Sequence, residues 1–266
     1  MNWRQIVARS ISEVSAFGRR SLPSRKGLRV LLYHAVGTPI KEDKRKLFTI
    51  SSELFETHMM ELSQYKENKI VELNDTLNME QGSGIAITFD DGYRDNLTVA
   101  TPILEKYRIP FAVFITTSYV QSHLQPYLIE EDVRMLSEKP YVSIGSHGVS
   151  HISLTQCNKR ELKNELESSK HYLEDLTGKE ITMISYPHGC INKRVLDAAS
   201  EAGYRIGASS CFNINRLTQD KLMLCRTNIL CSDTLRIFRQ KIHGDWDWYK
   251  WWQQLNEIVT RKCKIL

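Results

Sequence analysis

The sequence has no Cys-x-x-Cys pair, no apolar run long enough to span a bilayer, and no repeat or low-complexity tract. The six cysteines are isolated, so we interpret them as free thiols in a reducing compartment and not as a disulfide framework or zinc knuckle. The start of the chain is too polar for a secretory signal. These absences predict a cytoplasmic location.

The positive charge is concentrated at the beginning of the chain. The net charge is +5, and residues 1–27 hold six basic side chains against one acidic residue, Glu13, so residues 28–266 sum to zero. We therefore predict a basic extension, residues 1–27, and one α/β body, residues 28–266. The body lacks interleaved basic and aromatic residues, which argues against a nucleic-acid partner.

Both ends of the chain carry apolar residues at helical spacing, next to basic residues. Such stripes suit either packing against the body or a peripheral contact with the cytosolic face of a membrane, and the sequence leaves both open. The two stripes consist of Trp3, Ile6, Val7, Ile11, Val14 and Phe17, and of Trp248, Trp251, Trp252, Leu255, Ile258 and Val259.

Strand and helix signals alternate through the body. Short apolar runs such as Phe111–Ile115 and residues 222–225 predict strands, and longer amphipathic segments such as residues 158–176 predict helices. This alternation predicts a parallel sheet with crossover helices. An open doubly wound sheet and a closed barrel both fit the pattern.

Two polar clusters follow predicted strands. The apolar run Ile85–Phe89 stops at Asp90, Asp91 and Gly92, and the pair His147 and His151 follows the run at 141–144. Either aspartate could simply cap the next helix, and the histidines could be ordinary loop residues. Together, however, one Asp and two His suit a divalent metal, and the second Asp would be free to act as a base.

These clusters resemble motifs of the NodB-homology polysaccharide deacetylases, carbohydrate esterase family four, in their Tyr-Pro-x-Gly form. The matching segments are Leu31–His34, Thr88–Gly92, Ser146–His151 and Ser185–Gly189. The resemblance spans residues 28–208 and implies a distorted, incomplete (β/α) barrel. It also implies hydrolysis of an N-acetyl group on a sugar residue of a glycan, glycolipid or glycan precursor, with release of acetate.

The resemblance also implies the roles of individual residues. Asp91, His147 and His151 resemble the ligands of a divalent metal, most simply zinc. Asp90 resembles the general base that takes a proton from the water activated by the metal. The substrate-binding turn corresponds to Tyr186, Pro187, His188 and Gly189, and the backbone N–H of His188 corresponds to an oxyanion donor. Tyr186 has an alternative role as a core aromatic.

The sequence departs from the family pattern in two places. The family often has an arginine two residues before the motif's proline, where this chain has Ser185. The family's final Leu-x-His, which supplies the general acid, has no clear counterpart. His34, His188 and His243 are the candidates for this role, and we rank His34 first.

These departures keep alternative functions open. The same site chemistry would suit an O-acetyl esterase or an amidase acting on a non-sugar substrate. A catalytically impaired glycan-binding homologue is the third possibility.

Overall fold

The structure is a computed structural model that describes residues 11–13, 15, 27–39, 43, 46–65, 69–77, 84–216 and 218–251. Ten strands and seven α-helices make up about half of these residues. The strands are β1 Leu28–Tyr33, β2 Ala35–Val36, β3 Thr49–Ile50, β4 Lys69–Ile70, β5 Gly84–Phe89, β6 Phe111–Ile115, β7 Val142–Ser146, β8 Met183–Ser185, β9 Ile206–Ala208 and β10 Arg226–Asn228. The helices are α1 Ser52–Ser63, α2 Thr101–Tyr107, α3 Thr117–Gln121, α4 Glu130–Ser137, α5 Lys159–Thr177, α6 Lys193–Glu201 and α7 Leu235–His243.

The main sheet is parallel and nearly closes into a barrel. Its strand order is β10-β1-β5-β6-β7-β8-β9, and β4 pairs with the first two residues of β5. The two edge strands approach each other at Leu224, whose N–H donates to Gly207 O at 2.8 Å and whose carbonyl accepts from Ser209 N at 2.8 Å. The predicted distorted (β/α) barrel is therefore confirmed.

Alternating side chains divide the core into two layers. Val30, Ala86, Ala112 and Phe114 belong to one buried cluster, whereas their strand neighbours, such as Ile87 and Val113, pack in a second cluster that includes residues of the surrounding helices. This is the period of two expected for a strand buried on both faces. Side chains that continue the alternation of the first cluster beyond the strand ends therefore point into the barrel, where they meet each other.

The longest helix, α5, has clear end signals in the sequence. Asn158 Oδ1 accepts from the N–H groups of Arg160 and Glu161, and Glu161 Oε2 accepts in turn from Asn158 N. This capping box satisfies donors that the first helical turn would leave unpaired. Gly178, at φ 67°, ends the helix in the left-handed conformation.

One strand lies later in the chain than we predicted. We expected a strand at residues 222–225, but Lys221–Met223 is a 3₁₀ turn and β10 is Arg226–Asn228. The apolar residues Leu222 and Leu224 favoured the earlier position, but the hydrogen bonds to β1 begin only at Val30 opposite Arg226. The correction places a charged residue, Arg226, inside the sheet.

Most residues of the two terminal stripes lie outside the described ranges, and so the division at residue 27 stays a prediction. In the described part, Ser12 is buried and accepts from Trp248 Nε1 at 3.0 Å, and Glu13 pairs with Arg236 of α7. These contacts agree with the packing alternative for the residues concerned. Among the described residues, no helix has the length and apolar character needed to cross a bilayer.

Candidate active site

The carboxyl ends of β5 and β7 bring three potential metal ligands together. Asp91 lies in the turn after β5 at φ 75°, directly before Gly92 at φ 78°. Its Oδ1 lies 3.3 Å from His147 Nε2 and 3.2 Å from His151 Nε2. The three ligand atoms all lie within 4.8 Å of one another, as the sequence predicted.

The donor set fits a divalent metal. Two imidazole nitrogens and one carboxylate oxygen are ligands that zinc accepts, and zinc bonds of about 2.0–2.1 Å in a tetrahedral site put ligand atoms about 3.3 Å apart. The separations from Asp91 Oδ1 match that value. His147 Nδ1 lies 2.7 Å from Ser185 O and donates to it, which leaves Nε2 free to face Asp91.

Asp90 is buried and held by Arg226 of β10. Arg226 Nη1 donates to Asp90 Oδ1 and Nη2 donates to Oδ2, both at 2.7 Å, which makes a bidentate pair. Ser185 Oγ donates to Asp90 Oδ2 at 3.0 Å and accepts from Arg226 Nη2 at 2.8 Å. The base candidate therefore has a fixed orientation although the family's usual arginine position holds Ser185.

Arg226 is itself fully buried and fixed by other groups. Its Nε donates to Ser209 O at 2.8 Å, and its guanidinium carbon lies 5.8 Å from the centre of the Phe114 ring. Arg226 shares strand parity with Leu224, a residue of the inner cluster, and therefore points into the barrel. The sequence analysis missed this residue because β10 was placed too early.

The electrostatics of the site keep both carboxyl groups ionised. Burial raises the pKa of Asp90, but the charges of Arg226 and His147 and the hydrogen bonds from Arg226 outweigh it, so the pKa lies below its ordinary value. Burial also raises the pKa of Asp91, and hydrogen bonds from His147 and His151 hold it well below its ordinary value. An ionised Asp90 is able to accept a proton near neutral pH.

The three candidates for the general acid lie in different places. His34 follows β1, its ring lies 4.7 Å from that of Phe48, and its buried Nδ1 has no hydrogen-bond partner among the described residues. Burial lowers the pKa of His34, while the charges of Asp91 and Asp90 oppose that shift. His188 lies beside the candidate metal ligands, with its ring 4.7 Å from that of His151.

His243 lies elsewhere, at the end of α7. Its ring nitrogens lie 2.8 Å from Tyr65 Oη. Among the described residues, its ring contacts Tyr65 and not the candidate metal ligands, so it is the weakest candidate for the acid.

The Pro-x-Gly turn follows β8 and reaches the same end of the barrel. Pro187 is buried, His188 is exposed at φ 60° and Gly189 has φ 71°. A Cβ on Gly189 would lie 2.5 Å from Ser210 N, so only glycine fits this close approach. The turn lies at the same end of the barrel as the ligand set, and substrate binding by His188 and Gly189 stays a prediction.

Tyr186 requires a correction. Its side chain has no accessible surface, and its hydroxyl donates to Leu222 O at 3.0 Å. A side chain that is sealed in the core does not contact a substrate, so the core-aromatic alternative applies and the predicted substrate contact was wrong.

The expectation of free thiols needs one correction as well. Cys157, Cys211, Cys225 and Cys231 form no disulfide in the described part of the chain. Cys190, beside the Pro-x-Gly turn, is disulfide-bonded, so the expectation was wrong at that position.

The chain folds as a parallel β/α barrel, and the polar residues of its candidate site lie at the carboxyl ends of the strands. This is the arrangement found in β/α-barrel enzymes. Residues 78–207 match the family model described as polysaccharide deacetylase. These residues make up about half of the chain and are similar to the polysaccharide deacetylase family, as the motifs predicted. Membership of the Tyr-Pro-x-Gly subtype stays a prediction.

Two curated relatives and one solved structure show the range of the likeness. YxkH of Bacillus subtilis, which is assigned by name to the polysaccharide deacetylases, is 28% identical over 212 residues, covering 77% of this chain and 71% of YxkH. The peptidoglycan-N-acetylmuramic acid deacetylase PdaA of Bacillus subtilis is 29% identical over 123 residues, but the match spans only 46% of this chain and 44% of PdaA.

The Streptococcus pyogenes deacetylase PplD, solved in complex with acetate, superposes with a TM-score of 0.73 over 83% of this chain and 99% of PplD. The sequence identity of this pair is 22%, so the likeness shows that the two chains share a fold.

Proposed function

We propose that this chain is a metal-dependent N-deacetylase that removes the acetyl group from an N-acetylated sugar residue of a glycan, glycolipid or glycan precursor. The observation that carries the proposal is that a possible ligand set and a buried carboxylate lie side by side at the carboxyl end of the barrel. Asp91, His147 and His151 form a ligand set, and the adjacent Asp90 is a buried carboxylate locked by Arg226. The match of residues 78–207 to the polysaccharide deacetylase family model supports a substrate of this kind.

The residues of the site have complementary tasks in this proposal. When bound by Asp91, His147 and His151, a divalent ion supplies Lewis acidity, which lowers the pKa of water to roughly 7 and polarises a carbonyl group. Asp90 accepts the proton of the attacking water at its carboxylate, and Arg226 holds that carboxylate in one orientation. The backbone N–H of His188 donates to the oxygen that becomes negative as the acetyl carbon turns tetrahedral.

His34 is our candidate for the acid that protonates the leaving amine. Its Nδ1 is buried without a hydrogen-bond partner among the described residues. Such atoms are rare in folded proteins, and a catalytic function is one explanation for them. Burial lowers the pKa of His34, and the charges of Asp91 and Asp90 offset only part of that shift, which indicates that the ring lies within electrostatic reach of the site.

The test is acetate release from a panel of acetylated substrates. We expect purified protein supplied with Zn²⁺ to release acetate from N-acetylated oligosaccharides or from nucleotide- or lipid-linked N-acetyl sugars, and the Asp90→Asn variant to release far less. Acetate release from O-acetylated xylan alone would identify an esterase. Tight binding of an N-acetylated glycan without acetate release would identify a non-catalytic homologue.

A further inference from the structure

The segment that joins the two candidate histidine ligands, residues 147–151, is tightly curved. Gly148 has φ 77° and His151 has φ 55°. An L-residue with a side chain adopts the left-handed region at an energetic cost, so the surrounding structure must hold His151 in this conformation. We call this segment the histidine loop.

Fixed elements hold the backbone of the histidine loop. His147 N donates to Ile115 O at 2.9 Å, and the Gly148 and Val149 carbonyls accept from Thr117 N at 3.2 Å and Ser118 N at 2.9 Å. Gly148 N donates to Ser146 Oγ at 3.1 Å. The remaining N–H groups of the loop include those of Val149 and Ser150.

Glu165 of α5 satisfies both of these groups. Its side chain is buried, with a relative exposure of 4%, and its Oε2 accepts from Val149 N at 2.8 Å and from Ser150 N at 3.1 Å. Its Oε1 accepts from Ser150 Oγ. The contact is so close that a Cβ on Gly148 would lie 2.9 Å from Glu165 Oε2.

We propose that Glu165 is a positioning residue that holds the histidine loop in the curvature at which His147 and His151 both face Asp91. The proposal rests on the metal site of the proposed function. A buried carboxylate that receives three hydrogen bonds from one five-residue loop ties that loop to α5, and its removal leaves the three donors without their acceptor. Such outer-sphere partners typically contribute about 10- to 100-fold in metal affinity.

The experiment compares the dissociation constant for Zn²⁺, measured by competition with a chromogenic chelator, in two variants. Glu165→Met removes all three acceptors, and we expect its dissociation constant to rise about 10- to 100-fold. Glu165→Gln keeps one carbonyl oxygen for the two N–H groups, and its amide donates to Ser150 Oγ, which can also accept. We therefore expect the glutamine variant to stay close to the wild type.

Glu174→Met is the matched control on the same helix. Glu174 also accepts from a backbone N–H, that of Ile181 at 3.0 Å, and pairs with Lys170, but it does not touch the histidine loop. We expect this variant to lose thermal stability with an unchanged Zn²⁺ dissociation constant. If Glu165→Met behaves in the same way, Glu165 is merely structural and the proposal is wrong.

Ser150→Ala covers the case in which Glu165→Met does not fold. It removes one hydrogen bond to Glu165 and should raise the Zn²⁺ dissociation constant by a smaller factor, together with faster hydrogen exchange at Val149 and Ser150. Unchanged affinity and exchange in that variant would overturn the proposal. Tight Zn²⁺ binding by the wild type, with equal affinity in all Glu165 variants, would refute the positioning role alone. The absence of binding by the wild type would refute the metal site itself.

Discussion

Two adjacent aspartates differ in the partners that each one meets. Asp90 faces Arg226 inside the barrel, whereas Asp91, one residue later and at positive φ, faces His147 and His151. Successive residues at a strand end point to different sides, so the turn at Asp91 separates the proposed proton acceptor from the proposed metal ligand. The two proposed roles are therefore divided between two neighbouring residues.

We predict different losses for the two aspartates. Asp91→Asn removes a charged ligand, so metal affinity should fall. Asp90→Asn should keep the metal while turnover falls by about 10²- to 10⁴-fold, since only the proton acceptor is lost. Metal content by elemental analysis and kcat measured on the same samples test this, and near-normal turnover in Asp90→Asn would show that another group is the base.

Arg226 should set the pH dependence of the reaction. Its charge lowers the pKa of Asp90, so Arg226→Met should raise that pKa. The base works in its ionised form, and the acidic limb of the kcat/KM profile should therefore move to higher pH. Arg226→Lys keeps the positive charge without the bidentate geometry and should move the limb less.

An acidic limb that stays in place in Arg226→Met would contradict this account of Asp90. The variant also leaves a buried carboxylate unpaired, which typically costs about 3–5 kcal/mol in the free energy of unfolding. The profile should therefore be measured at a temperature at which the variant is shown to be folded.

His34 should matter more for an amide than for an activated ester. An amine needs a proton to leave, whereas an aryl oxide leaves readily without one. We expect His34→Ala to lose much more hydrolysis of an N-acetyl sugar than of an aryl acetate, with the metal retained. Equal losses on both substrates would indicate a structural role. His243 contacts Tyr65 instead of the site, so His243→Ala is the control and should leave the ratio of amide to ester hydrolysis unchanged.

At the scale of the elements, strand parity explains both what the sequence predicted and what it missed. The strands before Asp90 and His147 were predicted because short apolar runs stop abruptly at polar residues. Arg226 was missed because the apolar residues before it shifted the predicted strand, and its partner Asp90 lies 136 positions away in the chain. Nothing local in the sequence distinguishes an arginine that points into a barrel from one on its surface.

The same limit applies to Tyr186 and Glu165. The motif around Tyr186 predicted a contact with substrate, but only the packing of β8 against β9 shows that its hydroxyl is directed at Leu222 O. Glu165 looks like an ordinary exposed position of an amphipathic helix until α5 is placed beside the histidine loop. Tertiary contacts between distant segments decide both cases.

The contact between α1 and α7 should make the protein sensitive to acid. His58 of α1 stacks on Phe238 of α7, with ring centres 3.8 Å apart. Burial, together with the charge of Lys241, lowers the pKa of His58 from 6.5 to about 3. Between these two pH values the unfolded chain binds more protons than the folded one, so stability is lost as the pH falls below about 6.5.

We expect His58 to contribute a slope of about 1.4 kcal/mol per pH unit to the free energy of unfolding between pH 6 and pH 5. Denaturant unfolding of the wild type and of His58→Gln at both pH values measures it. Glutamine does not titrate and keeps an acceptor for the Tyr33 hydroxyl, which lies 3.3 Å from His58 Nδ1. Equal slopes in the two proteins would show that His58 is not buried as a neutral ring.

At the scale of the whole molecule, the near closure of the barrel brings the site together. Asp90 and Asp91 follow β5, His147 follows β7, and Arg226 begins β10 at the edge of the sheet. In an open sheet, β10 and β9 would lie at opposite edges. Here Leu224, just before β10, hydrogen-bonds to residues in and next to β9, so the two edges of the sheet meet. The barrel is therefore what places Arg226 beside Ser185 and Asp90.

The central claim is that Asp91, His147 and His151 together hold one divalent ion. The most direct measurement is the metal content of protein that has been stripped with chelator, reloaded with Zn²⁺ and freed of excess ion, in the wild type and in the His147→Ala, His151→Ala double variant. The account predicts one ion per chain in the wild type and a large loss in the folded double variant. One tightly held ion per chain in both proteins, or none in the wild type, would contradict it.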